Sequence, residues 1–138
     1  MSTDDRAAFL SAVLPAHVEA ERALHTGDAT PRLSTWSHAD PLTLFGAGVT
    51  YRTGWDDVRG VFEWLATTFT ACHDYDFELL AADAAGDLGY TVGIERYRAT
   101  SAAGTEIQRT LRVTHVYRRE ADRWRIVHRH GDHVTVEA

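Results

Sequence analysis

The spacing of the hydrophobic residues changes once along this chain, close to Cys72. Before that residue, apolar side chains recur three or four positions apart, which is typical of helices with one buried face. After it they alternate with acidic residues, as in the segment 74–79, and a period of two indicates β-strands. Helices followed by an antiparallel meander predict an α+β fold, in which a curved sheet packs its concave face on the helices and encloses a pocket.

Turn and cap residues set the predicted boundaries. The first helix is expected over 3–25 with a kink or a break at Pro15, because an interior proline removes one backbone hydrogen bond. A short second helix is expected over 28–37, and the third starts at the capping-box spacing Thr53-Gly-Trp-Asp56 and continues to Phe69. The predicted strands are 42–45, 49–52, 73–84, 88–100, 105–119 and 123–136.

Length and charge narrow the functional classes. The chain has 138 residues, and we expect one domain over 1–138, because two domains would each approach the lower size limit of an independent core. The net charge of −6 argues against nucleic-acid binding. All 14 basic residues are arginines, so Schiff-base chemistry and the phosphate-binding lysine of a P-loop are excluded.

The single cysteine and the hydropathy pattern bear on location. Cys72 alone allows no internal disulfide, which fits a reducing compartment. The acidic start and the lack of an apolar run of about 18 residues argue against a signal peptide and a membrane span. We therefore expect a cytoplasmic protein with no membrane partner.

Four short segments carry a resemblance to a known family: 23–28, 42–45, 52–54 and 123–130. Their order and spacing are similar to those of the nuclear-transport-factor-two-like superfamily, most closely its SnoaL-like and ketosteroid-isomerase-like branch. The resemblance covers nearly the whole chain. It implies a cone-shaped α+β fold, in which three N-terminal helices pack on a curved mixed, mainly antiparallel sheet that encloses a pocket. It implies no single reaction, because the superfamily contains isomerases, dehydratases, cyclases, hydrolases and proteins without any chemistry.

The ketosteroid-isomerase pattern is incomplete here. It implies a carboxylate base on the short strands before the third helix, but 41–52 contains no Asp or Glu, and Phe45 stands near that position. The SnoaL-like polyketide cyclases imply a late-strand carboxylate and histidine. The residues available for that role are Glu95, His128, His130 and Asp132. A third relative, the association domain of calcium/calmodulin-dependent kinases, has an Arg-lined pocket and places Arg112 and Thr114 at or beside it.

The closing strand offers the densest set of chemical groups. His128, His130 and Asp132 alternate and share one face, so they are candidates for proton transfer. A metal site is the weaker reading, because same-face neighbours on one strand are about 6.5–7 Å apart. Packing in a core or a dimer face is the structural alternative. We expect no metal and no cofactor.

Three further groups are candidates on other segments. Glu95 is a potential acid or base if it faces the pocket, or else the cross-strand partner of an arginine. His38 and Asp40 form a possible catalytic pair beside Trp36, or else a simple turn before Pro41. The predicted substrate-binding residues are Trp36, Phe45, Trp55, Phe62, Trp64, Arg112 and Thr114.

Two functional hypotheses follow. The first is a cofactor-free acid–base enzyme of isomerase, dehydratase or cyclase type, acting on a hydrophobic carbonyl-bearing or polycyclic small molecule. The second is a non-catalytic ligand-binding or assembly module of the same fold. Apolar and polar residues alternate incompletely on the long strands, so the second sheet face is expected to be covered in a homodimer.

Overall fold

Helices occupy the first part of the chain and long strands the second. The computed structural model describes residues 3–46 and 48–134. Its elements are α1 Thr3–Leu24, α2 Thr30–Thr35, β1 Thr43–Gly46, β2 Val49–Thr53, α3 Trp55–Ala66, β3 Phe69–Ala85, β4 Leu88–Ser101, β5 Glu106–Glu120 and β6 Arg123–His133. This order confirms the predicted α+β class. Residues 135 and 136 of the predicted last strand lie outside the described residues.

The first two helices differ from their predicted form. α1 runs as one continuous helix through Pro15, so of the two predicted forms, a kink or a break, the break is wrong. α2 is shorter than 28–37 because the Asp28 side chain precedes it, with Oδ1 accepting the backbone N–H of Thr30 at 2.9 Å. Asp and Ser favour such local bonds over helix interiors.

The start of α3 is set from a distant segment. The predicted capping box does not form, since Gly54 precedes the helix with φ of 83° and no side chain of that box caps it. Instead Asp40 Oδ1 accepts the N–H of Trp55 at 3.2 Å. A carboxylate at a helix N-terminus is favourable, and here it comes from 15 residues upstream.

The six strands form one open sheet in the order β2-β1-β6-β5-β4-β3. β1 pairs with β6 in parallel, and every other neighbouring pair is antiparallel. The sheet is therefore mixed and mainly antiparallel, as predicted. The β1–β2 hairpin extends the meander at the β6 edge.

A β-bulge in β6 changes which residues face the helices. Val116 pairs with His128 and Tyr117 with Ile126, so Val127 is an extra residue without a partner on β5. Because side chains alternate along a strand, one extra residue exchanges the faces beyond it. Odd-numbered residues face inward after the bulge, and Arg129 is buried as a result.

The core lies between the helices and the inner sheet face. One apolar cluster joins α1 and α3 to the sheet through Phe9, Val13, Phe62 and Tyr117. A second cluster surrounds Tyr97 on the central strands. None of the helices in the part of the chain described here is long and apolar enough to span a membrane.

Candidate functional site

A cavity of about 400 Å³ opens between α3 and the inner face of the sheet. That volume lies in the range of small-molecule sites. Its apolar wall is formed by Val61, Phe62 and Leu65 of α3 and by Ile107 and Leu111 of β5. Such a wall removes apolar ligand surface from water, at roughly 25 cal/mol per Å².

Two ion pairs form the polar floor of the cavity. Arg129 Nη2 donates to Glu95 Oε1 at 2.8 Å, and both side chains are buried, with 6% and 1% of their surface exposed. Arg32 Nε donates to Glu21 Oε2 at 2.8 Å, and its Nη2 donates to Oε1. The pairs adjoin, since Arg129 Nη1 lies 3.8 Å from Glu21 Oε1. Each carboxylate therefore has a neutralising cation.

Glu95 accepts from further donors behind the cavity. His17 Nε2 lies 3.0 Å from Glu95 Oε2, and the Tyr75 hydroxyl donates to the same oxygen. Burial alone would raise the pKa of the Glu95 carboxyl, but the Arg129 charge and these hydrogen bonds hold that pKa well below its usual range. Glu95 therefore stays ionised at neutral pH and is a poor proton donor or acceptor.

The Arg129 side chain packs directly against the backbone of β6 because residue 131 is glycine. A Cβ at this position would lie 3.0 Å from Arg129 Nη2 and 3.2 Å from its Nε. The guanidinium thus occupies the space over Gly131 on the inner face of β6. The glycine is needed for this close approach and not for a turn.

His25 at the end of α1 is the one imidazole of the cavity wall whose tautomer the structure fixes. Its Nδ1 lies 2.6 Å from the Glu21 carbonyl oxygen, which can only accept, so Nδ1 carries the hydrogen. Nε2 is left as an acceptor with no partner in the described residues. Burial lowers the pKa of His25 below its usual value. The ring is therefore neutral at pH 7 and can take a proton at Nε2.

Tyr97 lies against His25, with ring centroids 4.0 Å apart. Burial raises the pKa of Tyr97 to about 12, so the phenol keeps its proton at neutral pH. Nothing within residues 3–46 and 48–134 accepts a hydrogen bond from its hydroxyl. The cavity wall thus combines a proton acceptor with an unused hydrogen-bond donor, the pair that enolate-forming chemistry requires.

The structure places six of the predicted site residues on the outer face of the sheet, away from this cavity. His130 pairs with Thr114, and Asp132 pairs with Arg112 through two 2.8 Å hydrogen bonds. For the three residues on β6 the bulge at Val127 is the physical reason, because it turns the even-numbered residues that follow it outward. The six are Phe45, Arg112, Thr114, His128, His130 and Asp132.

The predicted loop pair is separated as well. His38 stacks on Trp55 at 3.9 Å and donates from Nε2 to the Leu33 carbonyl, whereas Asp40 caps α3. Trp36 is fully buried in the core. None of these four side chains lines the cavity.

Three predicted residues do line the cavity. Glu95 is in the floor, Phe62 in the wall, and Trp64 stands at the mouth with 54% of its surface exposed. The sequence predicted an arginine of the neighbouring strand β5 as the structural partner of Glu95. In the structure the partner is Arg129 of β6. No set of three or more His, Cys, Asp or Glu side chains suited to a metal ion occurs in the described parts of the chain.

Sequence reasoning missed the polar face of α1. His17, Glu21 and His25 are four residues apart, so they share one helical face, and all three interrupt an otherwise apolar stripe. Buried charged residues are rare unless paired, so this interruption was the available signal. The other missed residues are Arg32, Tyr75 and Tyr97.

Comparison with known proteins identifies the family. The model of the SnoaL-like domain matches residues 13–135. This chain belongs to the SnoaL-like family. The comparison of this SnoaL-like protein with curated proteins finds no match.

Solved structures share the fold of this SnoaL-like protein. A nuclear transport factor 2-like superfamily protein from Salmonella enterica serovar Typhimurium is 14% identical, with a TM-score of 0.77 over 100% of this chain and 96% of that one. A ketosteroid isomerase-like protein from Erwinia carotovora atroseptica is 16% identical, with a TM-score of 0.74 over 92% and 97%. The TM-scores establish the nuclear-transport-factor-two-like fold, and sequence identities this low say nothing about the reaction.

Proposed function

We propose that this SnoaL-like protein is a cofactor-free acid–base enzyme of isomerase, dehydratase or cyclase type that acts on an apolar carbonyl compound. The observation that carries the proposal is the pairing of two groups on the cavity wall: the neutral His25 and, beside it, the Tyr97 phenol. Neither His25 Nε2 nor the Tyr97 hydroxyl has a hydrogen-bond partner among the residues that the structure describes. The family and the apolar wall support a small-molecule ligand.

The common first step of these reactions is loss of a proton next to a carbonyl. His25 Nε2 takes the α-proton, the C–H electron pair moves toward the carbonyl, and the oxygen becomes an enolate. The Tyr97 hydroxyl donates a hydrogen bond to that oxygen as its charge grows. His25 then returns the proton to carbon or to a leaving oxygen, so no external reductant or oxidant enters.

The missing isomerase carboxylate fits this assignment. β1 and β2 supply no acid, and Glu95 is held as an anion by Arg129. A histidine general base serves the same role near neutral pH. We expect the rate to rise with pH below the usual histidine range and then to stay level, because the pKa of His25 is lowered.

The test is exchange of α-protons with solvent. A small panel of apolar ketones, including 2-tetralone, is incubated with the protein in D₂O, and loss of the α-proton signal is followed by NMR. We expect His25→Gln to lower the exchange rate by 10²-fold or more and Tyr97→Phe by roughly tenfold or more, as for removal of a base and of an oxyanion donor.

His38→Gln is the matched control, because His38 lies outside the cavity on Trp55. It should exchange like the unaltered protein. Exchange that survives His25→Gln unchanged would contradict the proposed role of His25.

A non-catalytic binding or assembly module is the second candidate. The observation that favours it is that both cavity carboxylates are already neutralised by Arg32 and Arg129. Under this alternative the cavity binds a ligand, and none of the variants changes the chemistry of any ketone.

Under either candidate function we expect a homodimer that forms through the outer sheet face. Tyr90 is 41% exposed there, and Val92, Ile94 and Val116 are only partly covered. A patch of this composition favours self-association.

A further inference from the structure

The arginines of β5 differ in one respect. This strand carries four of them, and three have carboxylate partners: Arg112 with Asp132, Arg118 with Glu120 and Arg119 with Asp87. Arg109 is the exception, because no carboxylate of the described residues pairs with it. It is also the one of the four that lines the cavity.

The other charges of the cavity are balanced. Glu21 and Glu95 are each paired with a buried arginine at the floor. Arg109 therefore leaves the described cavity wall with one positive charge in excess when the histidines are neutral. Because Arg109 is exposed, it lies toward the mouth and not among the buried pairs.

The neutral hydroxyls of the wall do not compete for a ligand in the way that Arg109 does. Thr68 Oγ1 donates to the Leu65 carbonyl at 2.6 Å and has no hydrogen left for a ligand. Ser101 Oγ accepts the N–H of Thr105 at 3.1 Å and keeps its own O–H, but a neutral hydroxyl attracts an anion less than a guanidinium does. Tyr97 and Arg109 have donors without acceptors in the described residues, and they stand directly opposite each other on β4 and β5. Opposed residues of an antiparallel pair share one face, so both groups serve one ligand.

From this arrangement we propose that the ligand is an apolar carbonyl compound that also carries one carboxylate, and that Arg109 binds the carboxylate at the mouth of the cavity. The inference rests on the proposed function and names its substrate class. The planar guanidinium suits a carboxylate, which it can bind through two parallel hydrogen bonds. The apolar body of the ligand then lies against Val61, Leu65 and Leu111.

The ion pairs at the cavity floor also favour binding of the ligand carboxylate at the mouth. A carboxylate driven down to Glu21 and Glu95 would lose its hydration beside two existing anions. At Arg109 it keeps part of its water and gains a cation. The Arg109 charge attracts anions to the mouth, although the protein as a whole carries a net charge of −6 and repels them elsewhere.

Binding of two isosteric probes tests the assignment. The affinities of 2-naphthoate and 2-naphthamide are measured by calorimetry at low salt for the unaltered protein, Arg109→Gln and Arg112→Gln. Arg112 is the matched control, because it lies three residues away on the opposite face of the same strand. Both substitutions change the net charge equally.

We expect the unaltered protein and Arg112→Gln to bind naphthoate roughly tenfold more tightly than naphthamide. Arg109→Gln should lose that preference while its affinity for naphthamide stays the same. Equal affinity for both probes in the unaltered protein, or a preference that Arg109→Gln retains, would overturn the assignment and leave the proposed function standing. Failure of both probes to bind the cavity would overturn the proposed function together with it.

Discussion

Removal of Arg129 should be among the most destabilising single changes in this protein. Its guanidinium and the Glu95 carboxylate are both buried and 2.8 Å apart, so Arg129→Met leaves an anion inside the protein without its cation. Breaking a buried pair in this way costs about 3–5 kcal/mol. Whole domains have only about 5–15 kcal/mol of stability, so the loss is easily measured.

Glu95 and Arg129 keep different partners when the other residue of the pair is replaced. Without Arg129, Glu95 keeps the donors His17 and Tyr75. Without the Glu95 charge, Arg129 keeps the Glu21 carboxylate at 3.8 Å and the ring of His115, whose Nε2 lies 3.1 Å from Nη1. Glu95→Gln with Arg129→Met should therefore cost less than the sum of the single variants, with a coupling of about 1–3 kcal/mol.

Urea unfolding followed by the fluorescence of the four tryptophans gives these free energies at pH 7. The control cycle is Glu78→Gln with Arg96→Met, an ion pair of 2.9 Å that is half exposed on β3 and β4. Its coupling should stay below about 1 kcal/mol. If the buried pair couples no more strongly than the exposed one, the assignment of the cavity floor as a closed ionic network is refuted. Arg129→Gln, which also removes the cation but keeps amide hydrogen-bond donors, replaces Arg129→Met if the latter does not fold.

Three further outcomes are expected. The pKa of the Glu95 carboxyl is lowered in the folded state, so the ionised carboxylate stabilises the protein above the pKa of the unfolded chain, near 4.5. This stabilisation is lost as the pH falls below that value. Glu95→Gln should therefore flatten the acid-side decline of the free energy of unfolding. Sedimentation should give about twice 15.4 kDa for the unaltered protein and the monomer mass for Val116→Arg, and a monomer before substitution would reject the dimer. Gly131→Ala should lower the Tm because the new Cβ would contact Arg129. Gly60→Ala lies in open space in α3 and should raise stability by up to about 1 kcal/mol. Equal effects of the two substitutions would contradict the close packing of Arg129 on Gly131.

The fold could be predicted because it depends on patterns that cover many residues. The change of period near Cys72 separates the helices from the meander, and the short turns at 86–87, 102–105 and 121–122 separate the long strands. Short-range features were less secure. The cap of α3 comes from Asp40, which local spacing around Thr53 cannot reveal.

The site was harder to predict because strand faces depend on register. The pattern Trp124, Ile126, His128 predicts one continuous face, but the extra residue Val127 exchanges the faces between Ile126 and His128. Arg129 therefore faces the cavity in place of the predicted histidines. Nothing in a single sequence marks such a bulge when the residue is an ordinary valine.

Glu95 illustrates a partial success. Its place on a long strand made it a potential acid or base if it faced the pocket, and a partnering arginine was the other interpretation. Which arginine depends on the three-dimensional order of β6, β5 and β4, which brings Arg129 across β5 to Glu95.

The position of a bound ligand tests the account most directly. An NMR titration with 2-naphthamide should give intermolecular nuclear Overhauser effects to the methyl groups of Val61, Ile107 and Leu111, which line the cavity. Effects confined to Val92 and Val116 on the outer sheet face, or none at all at saturating concentration, would contradict a ligand site between α3 and the sheet.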